Sequence, residues 1–209
     1  MSTRGLVIVP DIMGPRPLFD DLSDRLAREH GWTVRVIEPF PGQEGMPLDE
    51  RLETGVAGID DDRLLGDATA AADATGADRV AVMGFCMGGM YAFKAAGIVV
   101  ERASGATSRF DRAVSFYGMI RVPAQFRGEG HQEPLDYLRR DGACPVLALL
   151  GGRDQWTPAD DVEALRSLPN VEVVDYPDAE HGFVHDASRP AHRADDAADA
   201  WRRVAAFLA

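Results

Sequence analysis

Val80-Ala81-Val82-Met83-Gly84-Phe85-Cys86-Met87-Gly88-Gly89 is the stretch that decides how this chain folds. Arg79 to Phe85 reads as a strand. From Met87 to about Ala96 the pattern is helical, and almost no linker separates the two. Cys86 sits at the corner. A strand that turns straight into a helix leaves no room for side chains across the turn, and Gly84 and Gly88 stand two residues to either side of Cys86. The spacing is G-x-Nuc-x-G, a nucleophile elbow with cysteine at its tip. It predicts Cys86 at the carboxyl edge of a sheet and at a helix N-terminus, where the partial positive charge favours thiolate. A plainer reading is a buried cysteine in a glycine-rich turn, or a turn that cradles phosphate. No G-x-G-x-x-G or Walker pattern accompanies it.

The rest of the chain alternates in the same way. Leu6 to Val9, Trp32 to Ile37, Arg112 to Tyr117, Pro145 to Leu150 and Val171 to Tyr176 read as further strands. Helical spacing runs from Pro17 to His30 through Leu18, Leu22, Leu26 and Ala27, from Asp60 to Ala74, and from Ala159 to Leu168. A last helix is expected to bury Ala191, Ala194, Ala198, Trp201, Ala205 and Leu208 on one face. Pro39 to Pro47 is a loop, and Gly97 to Phe110 and Ile120 to Gly142 read as irregular. Alternating strands and helices predict an α/β fold, a mostly parallel, doubly wound sheet flanked by helices, in one domain over residues 1–209. Ligands of such sheets sit outside the carboxyl ends of the strands.

A nucleophilic thiol needs a base, and the base needs a group that orients it. Asp154 follows the fifth strand, in Gly151-Gly152-Arg153-Asp154, and His181 follows the sixth, in Asp178-Ala179-Glu180-His181-Gly182-Phe183. The order nucleophile, acid, histidine, each past a strand, is the order this architecture uses. Singly, Asp154 could be a turn residue and His181 a solvated loop histidine. Together with the elbow they form a candidate catalytic set: Cys86 nucleophile, His181 base, Asp154 orienting acid. The oxyanion donors expected are the backbone N–H groups of Met87 and of Ile12, in the first-strand loop Pro10-Asp11-Ile12-Met13-Gly14. Asp11 has two readings, a proton partner that gates the thiol or a turn residue before the Pro17 helix. The remaining histidines form no metal set, since His181 and His185 lack an H-E-x-x-H frame; His30 and His131 read as surface residues, and Cys144 as structural.

The chain has 209 residues, 22 basic and 34 acidic, for a net charge of -12. That balance excludes a nucleic-acid partner. Two cysteines, Cys86 and Cys144, are too few for a disulfide scaffold, and no apolar stretch approaches membrane length. The opening Met1-Ser2-Thr3-Arg4-Gly5 runs into an apolar stretch too short for a signal peptide, so a cytoplasmic location without membrane contact is expected. No cofactor or metal is expected, and the assembly expected is a monomer or a small homo-oligomer.

Gly84-Phe85-Cys86-Met87-Gly88-Gly89, with Gly152-Arg153-Asp154 and Glu180-His181-Gly182-Phe183, resembles the dienelactone hydrolase family. The resemblance covers nearly the whole chain. It implies the α/β-hydrolase fold, a Cys-His-Asp triad without cofactor, and a small-molecule ester or lactone substrate. It also implies an acid in the first-strand loop that controls the thiol, a glutamate in the family and Asp11 here. Family enzymes that open dienelactone clamp its carboxylate with arginines, one of them four residues after the histidine. His185 stands at that position, and Arg51, Arg121 and Arg189 are the candidate substitutes. The alternatives to a lactone hydrolase are a thioesterase or general carboxylesterase, and a ligand-binding protein of the same fold that does no chemistry.

Overall fold

The computed structural model describes residues 4–102 and 105–209. Its strands in chain order are β1 (Arg4–Val9), β2 (Thr33–Val36), β3 (Arg79–Phe85), β4 (Val99–Arg102), β5 (Gly105–Ser108), β6 (Arg112–Phe116), β7 (Val146–Gly151) and β8 (Val171–Tyr176). Helices α1 (Pro17–His30), α2 (Leu48–Glu50), α3 (Asp61–Asp73), α4 (Met87–Ala96), α5 (Pro134–Leu138), α6 (Ala159–Arg166) and α7 (Ala194–Leu208) connect and cover them. Six strands form one sheet in the order β2-β1-β3-β6-β7-β8, and every pairing in it is parallel.

Both faces of that sheet are covered, which is why its central strands are largely apolar; the edge strands β2 (TVRV) and β8 (VEVVDY) carry polar residues as well. Side chains alternate between two cores. Val7, Val9, Val80, Val82, Ala148 and Leu150 pack with Leu64 and Ala68 of α3, Met90 and Phe93 of α4 and Leu165 of α6. Leu6, Ile8, Met83, Phe85, Leu147 and Leu149 pack on the other face with Phe19, Leu22 and Leu26 of α1 and with α7. The strand order reverses between β1 and β3, so the loops leaving these neighbours diverge and open a crevice at the carboxyl edge. Ile12 leaves β1 there, and Cys86 leaves β3.

The six sheet strands lie where the apolar runs predict them. Four local expectations change. Within the stretch expected to be irregular from Gly97 to Phe110, β4 and β5 pair as antiparallel strands outside the main sheet. Residues 120–142 hold a 3-10 turn at Ala124–Phe126 and the short helix α5. Helix α7 buries Ala197, Ala200, Val204 and Leu208, while Ala194 and Ala198 face solvent. An alanine-rich helix carries small apolar side chains all round, so composition leaves its buried face open and packing on the sheet selects it. In α1 the same choice buries Phe19 and exposes Ala27. The opening Met1-Ser2-Thr3 lies outside the described residues.

No described helix is long and apolar enough to cross a membrane. Beneath α3 and α4, Lys94 Nζ donates to both carboxylate oxygens of Asp61 at 2.7 and 2.8 Å, with both side chains fully buried. His131, expected at the surface, is buried beside this pair, its Nε2 3.5 Å from the Tyr91 hydroxyl.

Candidate active site

Cys86 has φ 57° and ψ -118°, a left-handed conformation that a cysteine adopts only when its surroundings force it. The glycines around it supply the force. A Cβ on Gly84 would lie 1.9 Å from the Gly88 carbonyl oxygen, and one on Gly88 would lie 2.1 Å from that of Val9. One on Gly89 would meet the backbone of Gly118 at 2.7 Å. The motif G-x-C-x-G-G is therefore a close approach of β1, β3, β6 and the first turn of α4. The Cys86 N–H donates to Phe116 O at 3.0 Å, which fixes the corner to β6.

Asp154 and His181 meet beyond the ends of β7 and β8, with Nδ1 2.7 Å from Asp154 Oδ2. The Asp154 side chain is fully buried and also accepts from the Trp156 N–H at 2.9 Å. Two more bonds hold the loops in register: Arg153 N–H to Ala179 O, and Ala179 N–H to Tyr176 O. His181 Nε2 is buried and has no hydrogen-bond partner among the described residues. Burial works against a charged ring here. The attraction of a Cys86 thiolate and the bond to Asp154 outweigh it and raise the His181 pKa to about 10. Cys144, by contrast, lies in the core, and burial pushes its thiol up to about 12.

The first-strand loop is tied on every side of Ile12. Gly14 N–H donates to Asp11 O, and Met13 N–H to Asp11 Oδ1. Arg51 Nη1 donates to the Ile12 carbonyl at 3.0 Å. The Ile12 N–H takes no part in this set. Met87 is the first residue of α4, so its N–H has no partner inside the helix. Asp11 is buried, yet its carboxyl is held well below the usual range, because its bonds to His185 and Arg16 overcome the burial. Arg16 grips both oxygens at 2.7 and 2.8 Å, and His185 Nε2 meets Oδ2 at 2.8 Å. The other His185 nitrogen, Nδ1, bonds the hydroxyl of Tyr117, a residue that also has positive φ. The Tyr117 ring packs edge-on to His181, centroids 5.1 Å apart.

A cavity of about 520 Å³ opens over these groups, lined by Cys86, Met87, His181, Ile12 and Asp11. Of the three arginines considered as carboxylate partners, Arg189 lines it as well. Arg51 is buried, and its guanidinium is taken up by the carbonyls of Gln43, Glu44, Met46 and Ile12. Arg121 pairs with Asp161 at the surface. His185 does not line the cavity. Sequence reading missed Arg16, Trp156, Phe126, Leu48 and Leu52, all of which do. A signal existed for two of them: Leu48, Leu52 and Val56 recur every fourth residue, in the segment between the Pro39–Pro47 loop and the Asp60–Ala74 helix.

A doubly covered parallel sheet with a strained elbow residue, an acid and a histidine gathered on its carboxyl edge defines an α/β-hydrolase. The model of the dienelactone hydrolase family matches residues 2–209. The chain belongs to that family and is by class a carboxylic ester or lactone hydrolase. It is 30% identical to a protein of Salmonella typhimurium named provisionally as a carboxymethylenebutenolidase, over 98% of this chain and 76% of that one. A Bradyrhizobium protein named provisionally as a 2-oxo-3-(5-oxofuran-2-ylidene)propanoate lactonase is 27% identical, over 97% of this chain and 82% of the other. Among solved structures, a metagenome-derived lipolytic enzyme of the LipS and LipT pair superposes with a TM-score of 0.68. That likeness, at 17% identity over 99% of this chain and 94% of the other, is one of fold.

Proposed function

We propose that Cys86, His181 and Asp154 form a working triad that cleaves an ester or lactone through a thioester. The observation that carries this reading is the Asp154-bound His181, whose buried and unpartnered Nε2 shares a cavity with the strained Cys86. Cys86 thiolate attacks the substrate carbonyl carbon. The developing oxyanion is held by the N–H groups of Ile12 and Met87, neither of which has another partner among the described residues. Protonated His181 gives its Nε2 proton to the leaving alkoxide as the C–O bond breaks, leaving an acyl thioester on Cys86. Neutral His181 then takes a proton from water, which attacks the thioester. The acid is released, and the thiolate–imidazolium pair is restored. Asp154 keeps the Nδ1 proton in place throughout.

For Asp11 the bonding supports a duty other than gating the thiol. Its oxygens serve Arg16, His185 and the Met13 N–H, and this shapes the loop that presents Ile12. Arg189 is the residue that would meet a carboxylate on the substrate. The pair of unbonded cysteines fits a reducing, cytoplasmic setting.

The test is hydrolysis of p-nitrophenyl acetate by the wild type and by Cys86→Ala, both checked for folding. The expected result is thiol-dependent turnover that falls by at least about 10³-fold in the variant. Equal activity in both would overturn the mechanism.

A further inference from the structure

We propose that this enzyme selects esters or lactones with a bulky apolar substituent, an aliphatic chain or an aromatic ring, seated against the Leu48–Val56 wall of the cavity. The inference rests on the reading that Cys86 and His181 work in that cavity, and it concerns what lies beside them.

Among the described residues, the large apolar side chains left exposed are Met13 at 44%, Leu48 at 43% and Leu52 at 41%. All three line the cavity that holds Cys86. Apolar side chains scattered singly over a surface need no explanation, but a cluster at the mouth of one cleft marks a binding surface. Leu48, Leu52 and Val56 are spaced four residues apart, so they share one side of the helical segment that carries them. Phe126 and Trp156 line the same cavity as a stacked pair, centroids 5.4 Å apart and planes at 28°.

The wall is fixed relative to the reacting centre. Arg51 lies between Leu48 and Leu52 in sequence, opens a π-helical turn at Arg51–Gly55, and is 3% exposed. Its guanidinium binds carbonyls of residues 43–46 and, in the same fork, the Ile12 carbonyl. One buried side chain thus ties the apolar wall to the loop that supplies an oxyanion donor. The charge of Arg16 is neutralised by Asp11. An apolar group of the substrate would therefore find a preformed apolar surface, held in register with the scissile carbonyl.

Two ester series read this directly. In one the acyl chain grows, from p-nitrophenyl acetate to butyrate, hexanoate and octanoate. In the other the alcohol grows, from methyl to butyl to octyl acetate. In at least one series kcat/KM should rise by about three- to fourfold per added methylene until the cavity is filled. In Leu48→Asn and Leu52→Asn, the ratio of kcat/KM for the long ester to that for the short one should fall by about tenfold. Both changes are at exposed positions, and thermal melts check that the variants fold.

A series of methyl ketones of growing chain length, titrated by calorimetry into Cys86→Ala, reads the wall without catalysis. Their Kd should fall with chain length, and Leu52→Asn should flatten the trend. Flat ester series with Cys86-dependent turnover, or a ketone Kd independent of length, would overturn the proposal. So would a length preference that both asparagine variants leave unchanged. Loss of all Cys86-dependent hydrolysis alongside length-dependent ketone binding would instead count against the triad and leave the apolar site standing.

Discussion

Asp11 Oδ2 lies 2.8 Å from His185 Nε2, although 174 positions separate the two residues. The contact joins the loop after β1 to the loop that carries His181. Tyr117, at the end of β6, closes the chain of bonds on the far side of His185. Three strand ends are thereby locked together beneath the cavity. Both side chains of the central pair are nearly inaccessible, at 1% and 4% exposure, which limits competition from water. The position four residues after His181, where the family resemblance implies a cation for the substrate, thus ties two loops together here.

Asp11→Asn should therefore act on stability as well as turnover. It leaves Arg16 and His185 without their anion, a loss of about 3 kcal/mol for a buried pair broken on one side. The sign with pH follows from a carboxyl held below its ordinary value of 3.8. The folded state keeps Asp11 ionised more strongly than the unfolded chain does. Its contribution is complete above that value and is lost as pH falls below it. Chemical melts at pH 7 and pH 3 check this: the gap between wild type and variant should narrow at the lower pH.

Gly84→Ala should disrupt the elbow outright. The new methyl would sit 1.9 Å from a backbone carbonyl oxygen, which has no flexible side chain to yield. A cost of about 3 kcal/mol or more is expected, from overpacking at a backbone crossing. Gly66→Ala is the control, since a Cβ there meets nothing within 4 Å. Replacing a helical glycine of α3 should stabilise by about 0.5–1 kcal/mol. Paired thermal melts that gave the two variants equal shifts would contradict this account of the motif.

His181 should lend the protein a stability that fades in alkali. Its pKa is raised from 6.5 to about 10, so the folded state binds the proton more tightly than the unfolded chain. Such a contribution is fully present below pH 6.5 and is lost as pH rises to about 10. Under the proposed mechanism, Cys86→Ala removes the charge that favours the imidazolium. In that variant the imidazole resonances should titrate at lower pH, by NMR, than in the wild type. Coincident titration curves would mean that Cys86 and His181 do not share charge.

Lys94→Met should destabilise by about 3–5 kcal/mol, because it strands the buried carboxylate of Asp61 between α3 and α4. The site lies in the core packed by those helices, away from the cavity lining, so kcat of the folded variant should stay near that of the wild type. Denaturant melts alongside steady-state kinetics separate the two effects.

Much of this was legible in the residues alone. The central strands of the sheet are short, largely apolar runs, because both of their faces are covered, and such runs stand out from their polar flanks. The elbow was legible because the crossing of three strands and a helix at Cys86 tolerates only glycine at 84 and 88, a requirement written directly in the chain. Asp154 and His181 were legible by order, each just past a strand that ends at the same edge. The buried face of α7 was not, since alanines on all sides give packing no preference until the sheet is present. Nor was the pairing of Val99–Arg102 with Gly105–Ser108, two four-residue strands that bond each other outside the main sheet.

What the sequence determined by itself is therefore the sheet, its parallel sense and the identity of the three groups gathered at its carboxyl edge, since these follow from local periodicity and from the steric demand of one turn. What only the tertiary structure decided is how the remaining polar residues are used. Asp11 was ambiguous until His185 and Arg16 were seen on its oxygens, and three arginines were equivalent until one was found in the cavity, one on backbone carbonyls and one at the surface. Leu48 and Leu52 became part of a binding wall only once the chain had brought them over Cys86. Such assignments depend on contacts between residues far apart in the chain, and those contacts are set by the packing of the whole fold.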